Sequence, residues 1–140
     1  MRAGEFTDGH QHPFTKNVEH FIYWVAEKLH LKHIPVIEFS NSKALARSEH
    51  RTGYYNKGTN HIYVYSGHRN LADIFRTIAH ELTHEKQGEE GRLKGKTSPP
   101  GSPNEREADW KAGYLMKLYL KDHPETIDGY FGESRIKPTG

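Results

Sequence analysis

Residues 71–87, LADIFRTIAHELTHEKQ, decide how this chain is read. Leu71, Ile74, Phe75, Ile78, Ala79 and Leu82 recur three and four apart, the spacing of one buried helical face. Asn70 offers a side-chain oxygen to the first free amides, and Gly88 is well placed as a C-terminal stop. The expected helix therefore runs from about Leu71 to Gln87. His80, Glu81 and His84 stand on it. Positions four apart lie one turn apart on the same helical face, so two imidazoles can point at one cation. Glu81, one step round from His80, can reach water beside that cation without ligating it. This is the physical content of H-E-x-x-H: two ligands and a general base. Without a metal, the same histidines would merely line the polar side of a helix.

Downstream, residues 89–102 are rich in Gly, Pro, Lys and Ser and are expected to form a connecting loop. A last helix should run from Pro103 or Asn104 to about Lys121, turning Ala108, Ala112, Leu115, Met116 and Tyr119 inward and ending at His123-Pro124. Its start reads two ways. Ser102 and Glu105 fit a capping box in which Glu105 bonds back to the Ser102 amide, whereas a box of Asn104 and Glu107 leaves the Glu105 carboxylate free. The second reading is preferred, because capping gives no reason for Asp109 one turn beyond Glu105.

Upstream, Thr15 can cap a helix to about Leu31, with Val18, Phe21, Ile22, Val25, Ala26 and Leu29 as its apolar stripe. Ile34 to Phe39 alternates and carries Pro35, which suggests a strand near a sheet edge. Arg51 to Asn56 and His61 to Tyr65 read as two strands joined by Lys57-Gly58-Thr59-Asn60. Ile62 and Val64 should face the core, with His61, Tyr63 and Tyr65 on the other side. Residues 41–49 could be a helical turn or a loop.

The resulting order, helix, strands, helix, helix, predicts an α+β domain with a short mixed or antiparallel sheet. Residues 1–14 read as a flexible tail that includes His10 and His12, residues 15–123 as the domain, and residues 124–140 as a C-terminal tail. The tail's apolar cluster, Ile127, Tyr130 and Phe131, is expected on the domain surface.

The pair of motifs carries a family resemblance. A metzincin would place a third histidine at position 90 and a glycine at 87; the chain has Glu90 and Gln87, so that pattern fails. Asn104-Glu105-Arg106-Glu107-Ala108-Asp109 instead resembles the N-E-x-x-A-D segment of gluzincins, the thermolysin-like zinc metallopeptidases. In size the chain is similar to compact gluzincin cores, including small phage and prophage peptidases related to the stress-response proteins IrrE and ImmA. The likeness covers the two motif helices and the strand before them. It implies a small zincin-like domain with Zn2+ held by His80, His84 and Glu105. Asp109 would orient His80 from behind, and Glu81 would be the general base for a metal-activated water. It further implies that His61 to Tyr65 is an edge strand along which an extended substrate lies, so that His61, Tyr63 and Tyr65 become candidate substrate-binding residues. An oxyanion donor among His61, Tyr63, Tyr65, His68 and Tyr130 is left open, and Tyr114 is out of phase with Glu105.

Composition narrows the classes. With 140 residues the chain is long enough for one domain with a modest core. The absence of Cys excludes disulfides, thiolate metal sites and a cysteine nucleophile. Basic and acidic residues, 20 and 18, nearly balance, which argues against nucleic acid; Arg92, Lys94 and Lys96 form only a local cluster. No apolar run suits a signal or a membrane span, so a monomer in a bacterial or phage-infected cytoplasm is expected. The expected partner is a protein or peptide substrate. A zinc-stabilised module that binds a regulatory or host protein without cleaving it is the alternative. Imidazole ligands also suit manganese or iron.

Overall fold

A computed structural model describes residues 13–40, 52–67, 69–93 and 101–130. The expectations for residues 41–49, His10, His12, His68, Lys94, Lys96 and Phe131 lie outside these. Helix α1 (Pro13–Lys28) is followed by strands β1 (Val36–Ser40), β2 (Gly53–Asn56) and β3 (His61–Tyr65), then helices α2 (Leu71–Glu89) and α3 (Pro103–Asp122) and a 3-10 helix over Pro124–Gly129. The α+β class is as expected. None of the described helices is long and apolar enough to cross a membrane.

Helix α1 starts two residues before the expected Thr15 cap and stops three residues short of Leu31. Its end is set by His30 at φ 55, with Leu31 N–H donating to Ala26 O and His30 N–H to Glu27 O. That pattern closes a helix through one left-handed residue, a position usually given to glycine. Helix α2 ends the same way, but not at Gly88. The helix runs through Gly88, and Gly91 (φ 73) takes the left-handed position while the Arg92 amide donates to Gln87 O. At Gly88 a Cβ would make ordinary contacts, 3.4 Å from the Tyr55 hydroxyl and 3.6 Å from Leu93 Cδ1, so that position does not require glycine.

The sheet has the order β1-β3-β2, with β1 parallel to β3 and β2 antiparallel to it. It is therefore mixed, and β3 is its central strand. The expectation that β3 forms an edge is overturned, since both of its sides are already hydrogen-bonded. The alternation within β3 is as expected: Ile62 and Val64 are buried, and His61, Tyr63 and Tyr65 face away from the core.

The stripes expected on α1, α2 and α3 meet in one core, with all six α1 residues, all six α2 residues and all five α3 residues buried. Phe21 stacks on Phe75 with ring centroids 3.9 Å apart, and Tyr119 packs edge-on to Phe21, Phe75 and Trp24. Tyr130 joins them instead of lying on the surface. Its ring meets Phe75 edge-on, and its carbonyl accepts the Ala72 amide at the free start of α2. Ile127, by contrast, is half exposed.

Candidate metal centre

Helix α2 presents the motif from its second half. Asn70 caps it as expected, accepting the Asp73 amide at 2.8 Å. Helix α3 lies alongside with opposite polarity, so that His84 meets Glu105 and His80 meets Asp109. Ala108 and Ala112, both fully buried, let the two backbones come close enough for these side chains to touch.

The cap of α3 is Ser102, not Asn104: Ser102 Oγ accepts the Glu105 amide at 3.3 Å. Only half of a capping box forms. The Glu105 backbone serves the cap, while its carboxylate points to the histidines, with Oε1 3.1 Å from His80 Nε2 and Oε2 2.6 Å from His84 Nε2. Asn104 instead donates its side-chain amide to Arg92 O, and Glu107 accepts from Gln87 and Arg92. The two Nε2 atoms lie 3.2 Å apart. Among the described residues, His80, His84 and Glu105 are the group whose ligand atoms converge closely enough to hold a metal ion.

The other ring nitrogens are held from behind. His80 Nδ1 lies 2.9 Å from Asp109 Oδ1, and His84 Nδ1 lies 2.7 Å from Gln87 Oε1. Both partners are acceptors, so both Nδ1 atoms carry hydrogen and each ring turns its Nε2 toward the other ring and Glu105. Burial lowers the pKa of His84 and favours its neutral form. With hydrogen held on Nδ1, a neutral ring has its Nε2 lone pair free to ligate a cation placed between the two rings and the carboxylate. Nitrogen ligands at 2.0–2.1 Å around a tetrahedral metal sit about 3.3 Å apart, close to the contacts of 3.1 and 3.2 Å seen here. The cluster is not sealed, since the side chains of His80 and Glu105 are 17% and 24% exposed. Solvent and a ligand can reach it from one side.

Glu81 is buried, and it faces β2. A Cβ at Gly53 would collide with Thr77 Cγ2 and lie 3.5 Å from Glu81 Cγ, so only glycine lets β2 lie this close to the motif. One turn on, Glu85 accepts the Tyr55 hydroxyl at 2.7 Å, and burial raises its pKa to about 7. Burial also opposes charge on Glu89, but the Glu85 carboxyl and the Lys32 and His33 amides donate to it and together hold it below the usual carboxylate range.

The remaining candidates stay apart from the cluster. His61, Tyr63 and Tyr65 lie on the sheet face turned away from α2, where Tyr63 stacks between Tyr54 and His61, and His61 lies 3.6 Å from Glu38. Tyr130 is locked in the core, and Tyr114 stacks on exposed Trp110. Sequence reasoning passes over Gln87, which could be found only by asking which acceptor serves His84 Nδ1. Comparison with protein-family models, curated proteins and solved structures finds no match.

Proposed function

We propose that the chain is a zinc-dependent metallopeptidase acting on protein or peptide substrates. The observation that carries this reading is the convergence of His80 Nε2, His84 Nε2 and the Glu105 carboxylate, with the second nitrogen of each ring hydrogen-bonded from behind. Three protein ligands with an open side are the donor set of a catalytic zinc site, whereas structural sites close all four positions. Bound there, zinc would supply a Lewis acid for the peptide carbonyl and an acidified water.

The chain's own residues supply the rest. Glu81, on the turn between the ligand histidines, takes a proton from the attacking water and returns it to the leaving amine. Asp109 and Gln87 hold the rings in the tautomer that ligates. Substrate alignment falls to β2 rather than β3. Among the described residues, strand β2 pairs with β3 alone, and it lies against Glu81 at Gly53. An extended peptide can add to its outer edge through backbone hydrogen bonds, which give affinity with little sequence preference.

Metal analysis and proteolysis assays on variants test the proposal. Wild type should bind close to one zinc and cleave an unfolded protein substrate. Glu81→Gln should keep the metal and lose cleavage by at least ~100-fold, the lower end of general-base contributions. Glu105→Ala should lose both. Zinc bound equally by wild type and Glu105→Ala would refute the site. Zinc binding with no cleavage of any protein would instead assign a zinc-stabilised binding module.

A further inference from the structure

We infer that Gln87 is a positioning residue that sets the ligating form of His84 and ties that ligand to α3 through Glu107. The inference rests on the metal reading above, but its geometry is separate from the ligands themselves.

Gln87 is wholly buried near the end of α2. Its side-chain nitrogen lies 3.0 Å from the Asn104 carbonyl oxygen and 2.9 Å from Glu107 Oε1. A carbonyl and a carboxylate can only accept, so the NH2 end of the amide must face α3. Oε1 then has to face His84, where it lies 2.7 Å from Nδ1. An amide oxygen cannot donate, so the hydrogen of this bond belongs to His84. One buried side chain thus uses both donors and its acceptor, and it leaves His84 a single neutral tautomer, with the lone pair on Nε2.

The amide is itself held. Glu107 Oε1 also receives Arg92 Nη1 at 2.9 Å, Arg92 Nη2 lies 3.3 Å from Asn104 Oδ1, and Asn104 Nδ2 donates to Arg92 O at 3.2 Å. The Arg92 amide closes the circuit by donating to Gln87 O at 2.9 Å. This knot joins the end of α2, which carries His84, to the first turn of α3, which carries Glu105. The two ligands come from different helices, so their spacing depends on the joint between those helices. Gln87 is that joint.

Replacing the amide by an apolar side chain of similar length has two consequences. His84 Nδ1–H loses its acceptor in a buried place, which costs free energy unless the proton moves. Moving it to Nε2 turns an N–H toward His80 and Glu105, so a metal has to displace a proton that the wild-type fold never puts there. Removing the partner behind a ligating histidine typically weakens metal binding by ~10- to 100-fold.

The test combines zinc affinity, from competition with a chromophoric chelator, with the tautomer of His84 in the metal-free protein, read by nitrogen–proton correlation NMR of the ring. Wild type should show hydrogen on Nδ1. Gln87→Met should move it to Nε2 and weaken zinc ~10- to 100-fold. Glu107→Ala should weaken zinc by a smaller factor, and Glu107→Gln, which still offers an acceptor oxygen, should restore wild-type affinity. Gln87→Met with the wild-type tautomer or wild-type zinc affinity would overturn the inference. If that variant does not fold, the Glu107 pair decides, because a positioning role requires Ala and Gln at 107 to differ. A wild-type chain that takes no zinc refutes the metal reading instead, and the tautomer measurement still judges Gln87.

Discussion

His80 and His84 differ in what stands behind them. His80 leans on Asp109, whose side chain is 74% exposed, while His84 leans on an amide with no exposure. Water can take over from Asp109 more easily than from Gln87. Asp109→Ala should therefore weaken zinc by about 10-fold, at the lower end of the range for such partners, with little change in folding. The same competition titration checks this, and a loss as large as that of Gln87→Met would contradict it. The pairing of His80 with His84 is legible in the sequence because one helical turn separates them, whereas Glu105 and Asp109 are named there only through a family resemblance. Gln87 is not legible there, since its role exists only once α3 packs with opposite polarity and places Asn104 O and Glu107 beside it.

At the scale of elements, the contact between β2 and α2 governs the site most directly. Gly53 lies where any side chain would strike Thr77, with Glu81 in ordinary contact beside it. Gly53→Ala should destabilise the fold by about 1–3 kcal/mol, the usual cost of overpacking. Zinc binding should change little, because the clash falls on Thr77 and not on a ligand. Denaturant midpoints together with zinc titration separate the two effects. The strands themselves are legible from alternation, but their order is not. Strand β3 follows β2 directly and also pairs in parallel with β1, and nothing in a local pattern reports a partner 25 residues upstream. The end of α2 is hard to place for a related reason. Gly88 and Gly91 look alike in sequence, and only the backbone shows that Gly91 takes the left-handed position while Gly88 stays helical.

At the scale of the whole molecule, the Tyr55–Glu85–Glu89 series links sheet, helix and the turn after α1. Glu85 ionises near 7 in the fold, against 4.5 ordinarily. Between those values the folded protein holds a proton that the unfolded chain has released, so this contribution to stability is full below 4.5 and is lost as pH rises toward 7. Glu89, held below the usual range, works the other way, but only as pH falls below that range. Unfolding in urea between pH 5 and 8, with a chelator present, also senses His84, whose lowered pKa makes stability rise with pH. Glu85 is therefore read from the difference between wild type and Glu85→Gln. Across this interval wild type should lose roughly 1–3 kcal/mol more than Glu85→Gln does. Equal slopes would show that Glu85 ionises in the fold as it does in the open chain. The overall class is legible from the sequence because three apolar stripes and one alternating strand already imply layered packing. The inward course of the chain after His123 is not, since a short 3-10 segment has too little periodicity to reveal that Tyr130 reaches the core.

Helix α2 has 13 of its 19 residues buried, and they include Glu81, His84, Glu85 and Gln87 as well as the apolar stripe. A rod enclosed on so many sides has few positions free to drift. Saturation mutagenesis scored for folding alone should already find this segment intolerant, with losses that a screen for activity would repeat almost unchanged. In this chain the reactive groups are spokes of the same axle that carries the core. A lineage exploring new specificities would have to change the rim, along β2 and the outer flank of α3, and leave the hub as it stands.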